Sequence, residues 1–414
     1  MVAFLDDDTV VRMKVELLAP AGNIECLETA YYFGADAAYI AGTEWGLRAY
    51  ASNFTREGII KAAALSKKLK KKLYITVNSV IPEEGLGDLA AYLFFLADAG
   101  VDAVIFADPA VLKIMREENI RLQKHLSTQV NTFNSMSAAF WHELGVSRIV
   151  LSRELSMESI RELIKKKPVN LEIEAFVHGA MCVAYSGRCL LSAVTTGRSG
   201  NKGECAQPCR WEYYLYEKGY DGQYFKITED EKGTYILNSR DMMMIEHIPE
   251  LIEAGITSFK IEGRMKSAYY VASTVSAYRR AIDAFLSGTK DGGLAGRLKD
   301  ELIKSATRPF STGFYFGASG QDTVKDESER RYSFAGVVLQ DASEGWVTAQ
   351  QRNKFLLGDT LEVLSPNLQD AAFTADKILN MDDEEQESAP HPQQTVRLPC
   401  SLPLKKGDIL RKLI

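Results

Sequence analysis

Cysteine is scarce in this chain: six in 414 residues, too few to staple a fold with disulfides. Long apolar runs are also missing. The longest, 89–97 (LAAYLFFLA), falls far short of the roughly 20 residues that a membrane-spanning helix needs, so no membrane partner is expected. Positive charge is not in excess either. Lys+Arg 49 against Asp+Glu 55 leaves a net −6, so any contact with nucleic acid has to be a local basic patch. The acidic N-terminus, MVAFLDDDTVV, has no basic segment ahead of an apolar stretch. No signal peptide is expected, and the chain is expected to be cytoplasmic with reduced thiols. Several catalytic signatures are absent as well. No G-x-G-x-x-G follows the first strand-like run. Val146 stands where His142-Glu143 would need a second histidine for a zinc peptidase, and there is no G-x-S-x-G.

What is present is a globular composition, 46% apolar and 25% charged, with ample material for a core. Short β-rich runs alternate with helix-length amphipathic runs. The candidate strands are 15–19, 37–41, 73–78, 102–107, 121–126, 147–151, 171–177 and 258–262. Helices are expected at 57–70, 86–99, 135–144 and 156–165, the last opening on Ser156 as N-cap. About eight βα units over some 280 residues predict an α/β fold, a (β/α)8 TIM-like barrel, with a doubly wound open sheet as the alternative. A cysteine-bearing insertion at about 180–240 follows the seventh strand, with strands expected at 213–216, 224–228 and 234–237. The barrel is expected to occupy 1–320. After a polar linker, 318–331, short alternating strands predict a small β-barrel or β-sandwich domain over 330–414.

Four of the six cysteines, Cys182, Cys189, Cys205 and Cys209, share one glycine-rich stretch with the spacing C-x6-C-x15-C-x3-C. A cytosolic cluster of this kind is more often metal-binding or catalytic than disulfide-bonded. Zinc prefers two tight C-x2–4-C pairs, and only Cys205 and Cys209 make one; an iron–sulfur cluster tolerates wider spacing. Spacing alone leaves cluster, zinc and free thiols open. The radical-SAM pattern C-x3-C-x2-C is absent, since Arg210, Trp211 and Glu212 follow Cys209.

The segment Glu174-Ala-Phe176-Val-His178-Gly179-Ala180-Met-Cys182, continued by Tyr185-Ser186-Gly187-Arg188-Cys189-Leu-Leu-Ser192, resembles the signature of the collagenase-like peptidases, peptidase family U32. Glu16–Asn23, Ser127–Gln129, Leu237–Asp241 and Lys260–Ser267 resemble the same family, so the likeness runs over nearly the whole chain. Members of the family are implicated in oxygen-independent hydroxylation, and a chain with this C-terminal β-domain is most similar to the group that makes 5-hydroxyuridine at the tRNA wobble position. The resemblance implies tRNA as partner, a 4Fe–4S cluster on Cys182, Cys189, Cys205 and Cys209, and prephenate, a small carboxylate, as co-substrate. A peptidase is the second reading. A non-catalytic RNA-binding or scaffolding partner of a paired family member is the third.

Charged residues at predicted strand ends are the site candidates, because a TIM-like barrel builds its active site at the C-terminal mouth. His178, Glu154 and Glu262 are the candidates for proton transfer, His178 as a proton donor at the mouth. Arg153, Arg240, Asp241, Lys260 and Arg264 are the candidates for binding a carboxylated or phosphorylated ligand. Lys260, Glu262 and Arg264 are expected to share one strand face, since residues two apart do. An internal ion-pair network is the competing role for all of these. Asn78, Asp108 and Gln129 are weaker candidates. The lysine run 67–72 reads either as an RNA patch or as a solvated helix end.

Overall fold

The computed structural model describes residues 15–47, 53–181, 188–200, 203–211, 214–216, 224–226, 240–306, 308–317 and 332–414. The expected strand 234–237 and the linker 318–331 lie outside them. Strands β1 (Glu16–Pro20), β2 (Ala37–Ala41), β3 (Lys72–Val77), β4 (Ala103–Phe106), β5 (Gln123–Leu126), β6 (Arg148–Val150) and β7 (Glu172–Gly179) pair side by side in parallel. The insertion carries β8 (Tyr214–Tyr216) and β9 (Tyr224–Lys226), an antiparallel pair. Two short strands, β10 (Asp241–Met243) and β12 (Phe310–Ser311), extend the sheet beyond β7. The strand β11 (Ser258–Ile261) pairs in parallel with both β7 and β1 and closes an eight-stranded barrel. The TIM-like expectation holds, and the open sheet is excluded by that closure.

Helices alternate with the strands and cover the barrel: α1 (Ile24–Tyr32), α2 (Arg56–Lys68), α3 (Leu86–Asp98), α4 (Pro109–Glu117), α5 (Ser135–Glu143) and α6 (Met157–Lys166). Beyond them come α7 (Leu191–Thr196) in the insertion, α8 (Ile248–Glu253), α9 (Ala268–Leu286) and α10 (Leu294–Lys304). Their starts follow local capping chemistry. Asn23, Thr55, Asp108, Asn134, Ser156 and Ser267 each accept a backbone N–H of the first turn on their own side chain. Asp108, a weaker site candidate, is thereby explained as the N-cap of α4. Ser156 caps α6 from outside the helix. The large apolar core lies between strands and helices, where outward-facing strand residues such as Leu17, Ile40 and Ile75 meet Leu27, Ile59 and Leu93. A smaller cluster fills the barrel interior with Leu18, Tyr39, Tyr74 and Ile105.

Residues from Tyr332 on form a second, antiparallel all-β region with its own core around Val347, Phe355, Leu361 and Leu398. Its strands are β13 (Tyr332–Val338), β14 (Trp346–Gln351), β15 (Phe355–Leu356), β16 (Thr360–Leu364), β17 (Ala371–Thr374), β18 (Ser388–Ala389), β19 (Thr395–Pro399) and β20 (Ile409–Leu413). Six run in the order β17-β16-β20-β13-β14-β19, and β15 pairs with β18. Polar contacts tie this sheet to the barrel. Arg411 donates to Glu301 at 2.8 Å, Lys304 to Glu362 at 3.1 Å, and the Tyr32 hydroxyl to Asp408 at 2.8 Å.

Candidate active site at the barrel mouth

The strands present their C-terminal ends on one side, and the loops there come from distant parts of the chain. Below that mouth the interior is ionic. Arg148, at the start of β6, contacts Glu16 at 2.5 Å, Glu172 at 2.6 Å and Glu174 at 3.2 Å. Lys260 donates to the other oxygen of Glu174 at 2.8 Å and lies over the rings of Tyr39 and Phe176. The Tyr74 hydroxyl donates to Glu16 at 2.7 Å, and the Ser258 hydroxyl at 3.0 Å. Burial raises the Glu16 pKa, but the charge and hydrogen bonding of Arg148, together with Tyr74 and Lys72, outweigh it and hold the carboxyl below its ordinary value. The same carboxylates raise the Arg148 pKa against the opposing effect of burial. Lys260, a ligand-binding candidate, therefore stands in the internal network.

The shared face expected for Lys260, Glu262 and Arg264 does not form. β11 ends at Ile261, and a bulge shifts its register against β7 between Lys260 and Ile261. Beyond it the chain turns. Gly179 has φ +103°, and a Cβ there would meet the Glu262 carbonyl oxygen at 2.4 Å; a Cβ on Gly22 would meet the Arg264 carbonyl oxygen at 2.1 Å. Two glycines thus let the ends of β7 and β1 press against this loop. Arg264, buried, reaches across the mouth and donates to the Leu47 carbonyl in the loop after β2.

Leu47 continues a hydrogen-bonded chain over the mouth. Its N–H donates to Asn78 Oδ1 at 3.2 Å, and Asn78 Nδ2 donates to Gln129 Oε1 at 2.6 Å. Gln129 Nε2 returns a bond to the Asn78 carbonyl at 3.1 Å, and the Ser127 hydroxyl donates to Gln129 Oε1 at 3.1 Å. The obligate backbone partners fix both amide orientations, and each NH2 group keeps a second N–H beyond these bonds. On the other flank Arg153 donates to the Ala180 carbonyl at 2.8 Å and lies over the Phe176 ring, while Glu154 accepts from the Ser152 hydroxyl.

His178 is not at the mouth. The bulge turns its ring toward the helix layer, among Tyr270 and Tyr278 of α9 and Phe310 of β12. The Tyr278 hydroxyl donates to the Val177 carbonyl at 2.6 Å and accepts from the Met244 N–H at 3.0 Å. Its remaining lone pair faces His178 Nδ1 at 3.3 Å, so Nδ1 carries the hydrogen and Nε2 is the acceptor. Burial, with Lys266 adding to it, lowers the imidazole pKa from 6.5 to about 3. The mouth proton donor expected of His178 is corrected to a neutral imidazole behind the wall. Asp241 opens β10, where Met242 and Met243 pair antiparallel with Gly179 and His178. Burial first, then Asp241 and Glu262, raise the pKa of the Tyr270 phenol, which donates to the Glu262 carbonyl at 2.8 Å. His178, Asp241 and Glu262 thus gather around the start of α9, with half-buried Arg240 preceding Asp241. Tyr270 and Tyr278 were not anticipated. Their spacing of two helical turns just after the Lys260–Ser267 motif was the available signal.

Cys182 lies outside the described residues. Cys189, Cys205 and Cys209 form no disulfide, Cys205 is exposed, and the turn holding Cys209 packs on α7, two residues after Cys189. The Gln207 N–H donates to Cys205 Sγ at 3.4 Å, and the Ala206 N–H to Ser192 Oγ at 3.0 Å. Thiols outside any disulfide, with an N–H aimed at the sulfur of Cys205, suit an iron–sulfur cluster in donor chemistry. Among the described residues no three of His, Cys, Asp and Glu converge as a metal-binding group. Cys26 is buried, its thiol pushed up to about 11 by burial, and it faces the Lys266 carbonyl at 3.7 Å. No helix among the described residues is long and apolar enough to cross a membrane.

A family model described as Peptidase family U32 matches residues 22–325, and one described as Peptidase family U32 C-terminal domain matches residues 330–411. The chain is 41% identical over 408 residues to "tRNA hydroxylation protein P1" of Bacillus subtilis, covering 97% of this chain and 96% of that one. It is 45% identical over 309 residues, 74% of each chain, to an "uncharacterized protease" of Methanocaldococcus jannaschii. It is 34% identical over 429 residues to "tRNA hydroxylation protein P" of Escherichia coli, covering 93% of this chain and 94% of that one.

Proposed function

The chain belongs to peptidase family U32, and from that premise we propose that it is a tRNA-modifying enzyme that hydroxylates the wobble uridine to 5-hydroxyuridine without molecular oxygen, with prephenate as co-substrate. The observation that carries this reading is the near end-to-end likeness to proteins named for tRNA hydroxylation. The mouth suits it chemically. A single-stranded anticodon base can be splayed into a pocket without breaking a pair. The second N–H groups of Asn78 and Gln129 would take its carbonyl oxygens. Arg264, Arg153 and Arg240 would engage carboxylate or phosphate, with Asp241 beside Arg240. Glu154 and Glu262 would move protons, and His178 would hold the end of β7 as a positioning residue.

Cys182, Cys189, Cys205 and Cys209 would hold a 4Fe–4S cluster, which supplies one-electron transfer when bound. Changing any one of the four to Ala should lower the iron content of anaerobically prepared protein, whereas Cys26→Ala and Cys400→Ala should leave it unchanged. Full iron retention in two or more of the four would remove this assignment.

The protease reading has a named relative in its favour, but Cys26 is buried with a raised pKa. Mass spectrometry of tRNA nucleosides from a deletion strain tests the function. We expect 5-hydroxyuridine to vanish and to return on complementation. Unchanged 5-hydroxyuridine, with gelatin cleavage by the purified iron-free protein, would favour the protease.

A further inference from the structure

The lysine run at the end of α2 is not absorbed by the mouth chemistry. It lies at the opposite end of the barrel, where α2 hands over to β3. Residues 58–82 contain no Asp or Glu but include Lys61, Lys67, Lys68, Lys70, Lys71 and Lys72. Lys72 approaches Glu16 at 3.7 Å; the other five make no ion pair among the described residues. The neighbouring carboxylates are engaged elsewhere. Asp102 accepts the Leu73 N–H at 2.8 Å, and Asp36 accepts the Leu17 N–H and Arg279, both at 2.9 Å.

A helix C-terminus accounts for Lys67 and Lys68, which lie in the last turn of α2. It does not account for Lys70, which sits past the helix with φ +55°. The equivalent left-handed position carries Gly34 after α1, Gly100 after α3, Asn119 after α4, Gly145 after α5 and Gly255 after α8. Among the described residues, only here does a long cationic side chain occupy a backbone conformation that L-residues avoid. Strain retained together with unpaired charge points to a partner. Lys61 and Lys68 lie seven residues apart on the exposed face of α2, so the cations continue up the flank toward the mouth.

We propose that Lys61, Lys67, Lys68, Lys70 and Lys71 form a docking surface for the phosphodiester backbone of RNA. An RNA with one base in the mouth would run down the α2 flank to this corner. The proposal rests on the tRNA reading above.

The test is binding of unmodified tRNA from the deletion strain to the full chain across a salt series. The quadruple variant Lys67→Gln, Lys68→Gln, Lys70→Gln, Lys71→Gln should weaken binding at least tenfold. It should also flatten the slope of log K against log salt by about three to four. Lys70→Gly should raise the melting temperature, by relieving the strain, yet weaken tRNA binding. A quadruple variant with unchanged affinity and slope, on a wild type that binds tRNA, would overturn the docking surface and leave the tRNA reading intact. A wild type that binds no tRNA would overturn both. Loss of binding to phosphatidylserine vesicles alone, with tRNA binding unaffected, would assign the patch to a lipid surface and overturn the proposal.

Discussion

Inside the lower barrel, Arg148 and Lys260 lie directly against the carboxylates of Glu16 and Glu174, and the Arg148 and Lys260 side chains are only 3% and 5% exposed. At the mouth, Arg264 and Arg153 are oriented by the main-chain carbonyls of Leu47 and Ala180. A carboxylate neutralises a buried cation as it positions it; a carbonyl positions a guanidinium without cancelling its charge. The same residue types therefore serve two ends. The lower layer is a closed ion-pair network that holds the barrel, and the upper layer brings guanidinium groups held by main-chain carbonyls to the place where loops from β2, β3, β5, β6, β7 and β11 meet.

The largest effect should come from breaking the lower layer. Glu174→Ala leaves Lys260 without its carboxylate and weakens the pairing of Arg148. We expect a loss of about 3–5 kcal/mol in denaturant unfolding. Replacing Glu174 and Lys260 together by Leu and Met should recover much of that loss, because no uncompensated charge then remains.

A smaller effect separates His178 from the mouth. Its pKa is depressed in the folded state, so stability present above about pH 6.5 is lost as the pH falls toward about 3. Each unit in that window costs about 1.4 kcal/mol, or about 2 kcal/mol between pH 6.5 and 5. His125, fully buried and also depressed, acts in the same direction. His178→Phe should reduce the acid-side slope in denaturation series at pH 7, 6 and 5. An unchanged slope would mean that the ring is solvated and faces the mouth after all. The smallest effect should be Ser156→Ala. It removes the cap of α6 and should cost about 1 kcal/mol, with tRNA hydroxylation per folded molecule unaffected.

The barrel was legible because its pattern is local. Short β-rich runs alternating with amphipathic helical runs located the eight strands to within two residues at nearly every end. The two-residue strands β15 and β18 were not legible, being too short for any alternation to register. The end of β11 was misread for a different reason. A bulge depends on how β7 and β11 pair, and strand alternation carried past Ile261 put Arg264 on the wrong footing. His178 was placed by its position after a strand, but its environment is set by Tyr278, a hundred positions away. The lower network joins Glu16 to Arg148 across 132 positions, so the roles of Glu174 and Lys260 emerge only once the barrel closes.

Arg264 tests this division most directly. Lysine keeps its charge but cannot copy the guanidinium fork, and losing a charge-assisted hydrogen bond of about 1.5–3 kcal/mol should weaken ligand binding roughly ten- to a hundredfold. The measurement is the 5-hydroxyuridine content of tRNA from a deletion strain whose only copy carries Arg264→Lys, at matched soluble protein and with the melting temperature taken in parallel. We predict that 5-hydroxyuridine collapses while melting temperature and iron content stay near wild type. Full 5-hydroxyuridine, or an early-melting protein that retains wild-type modification per folded molecule, would contradict the assignment of the chemistry to the mouth.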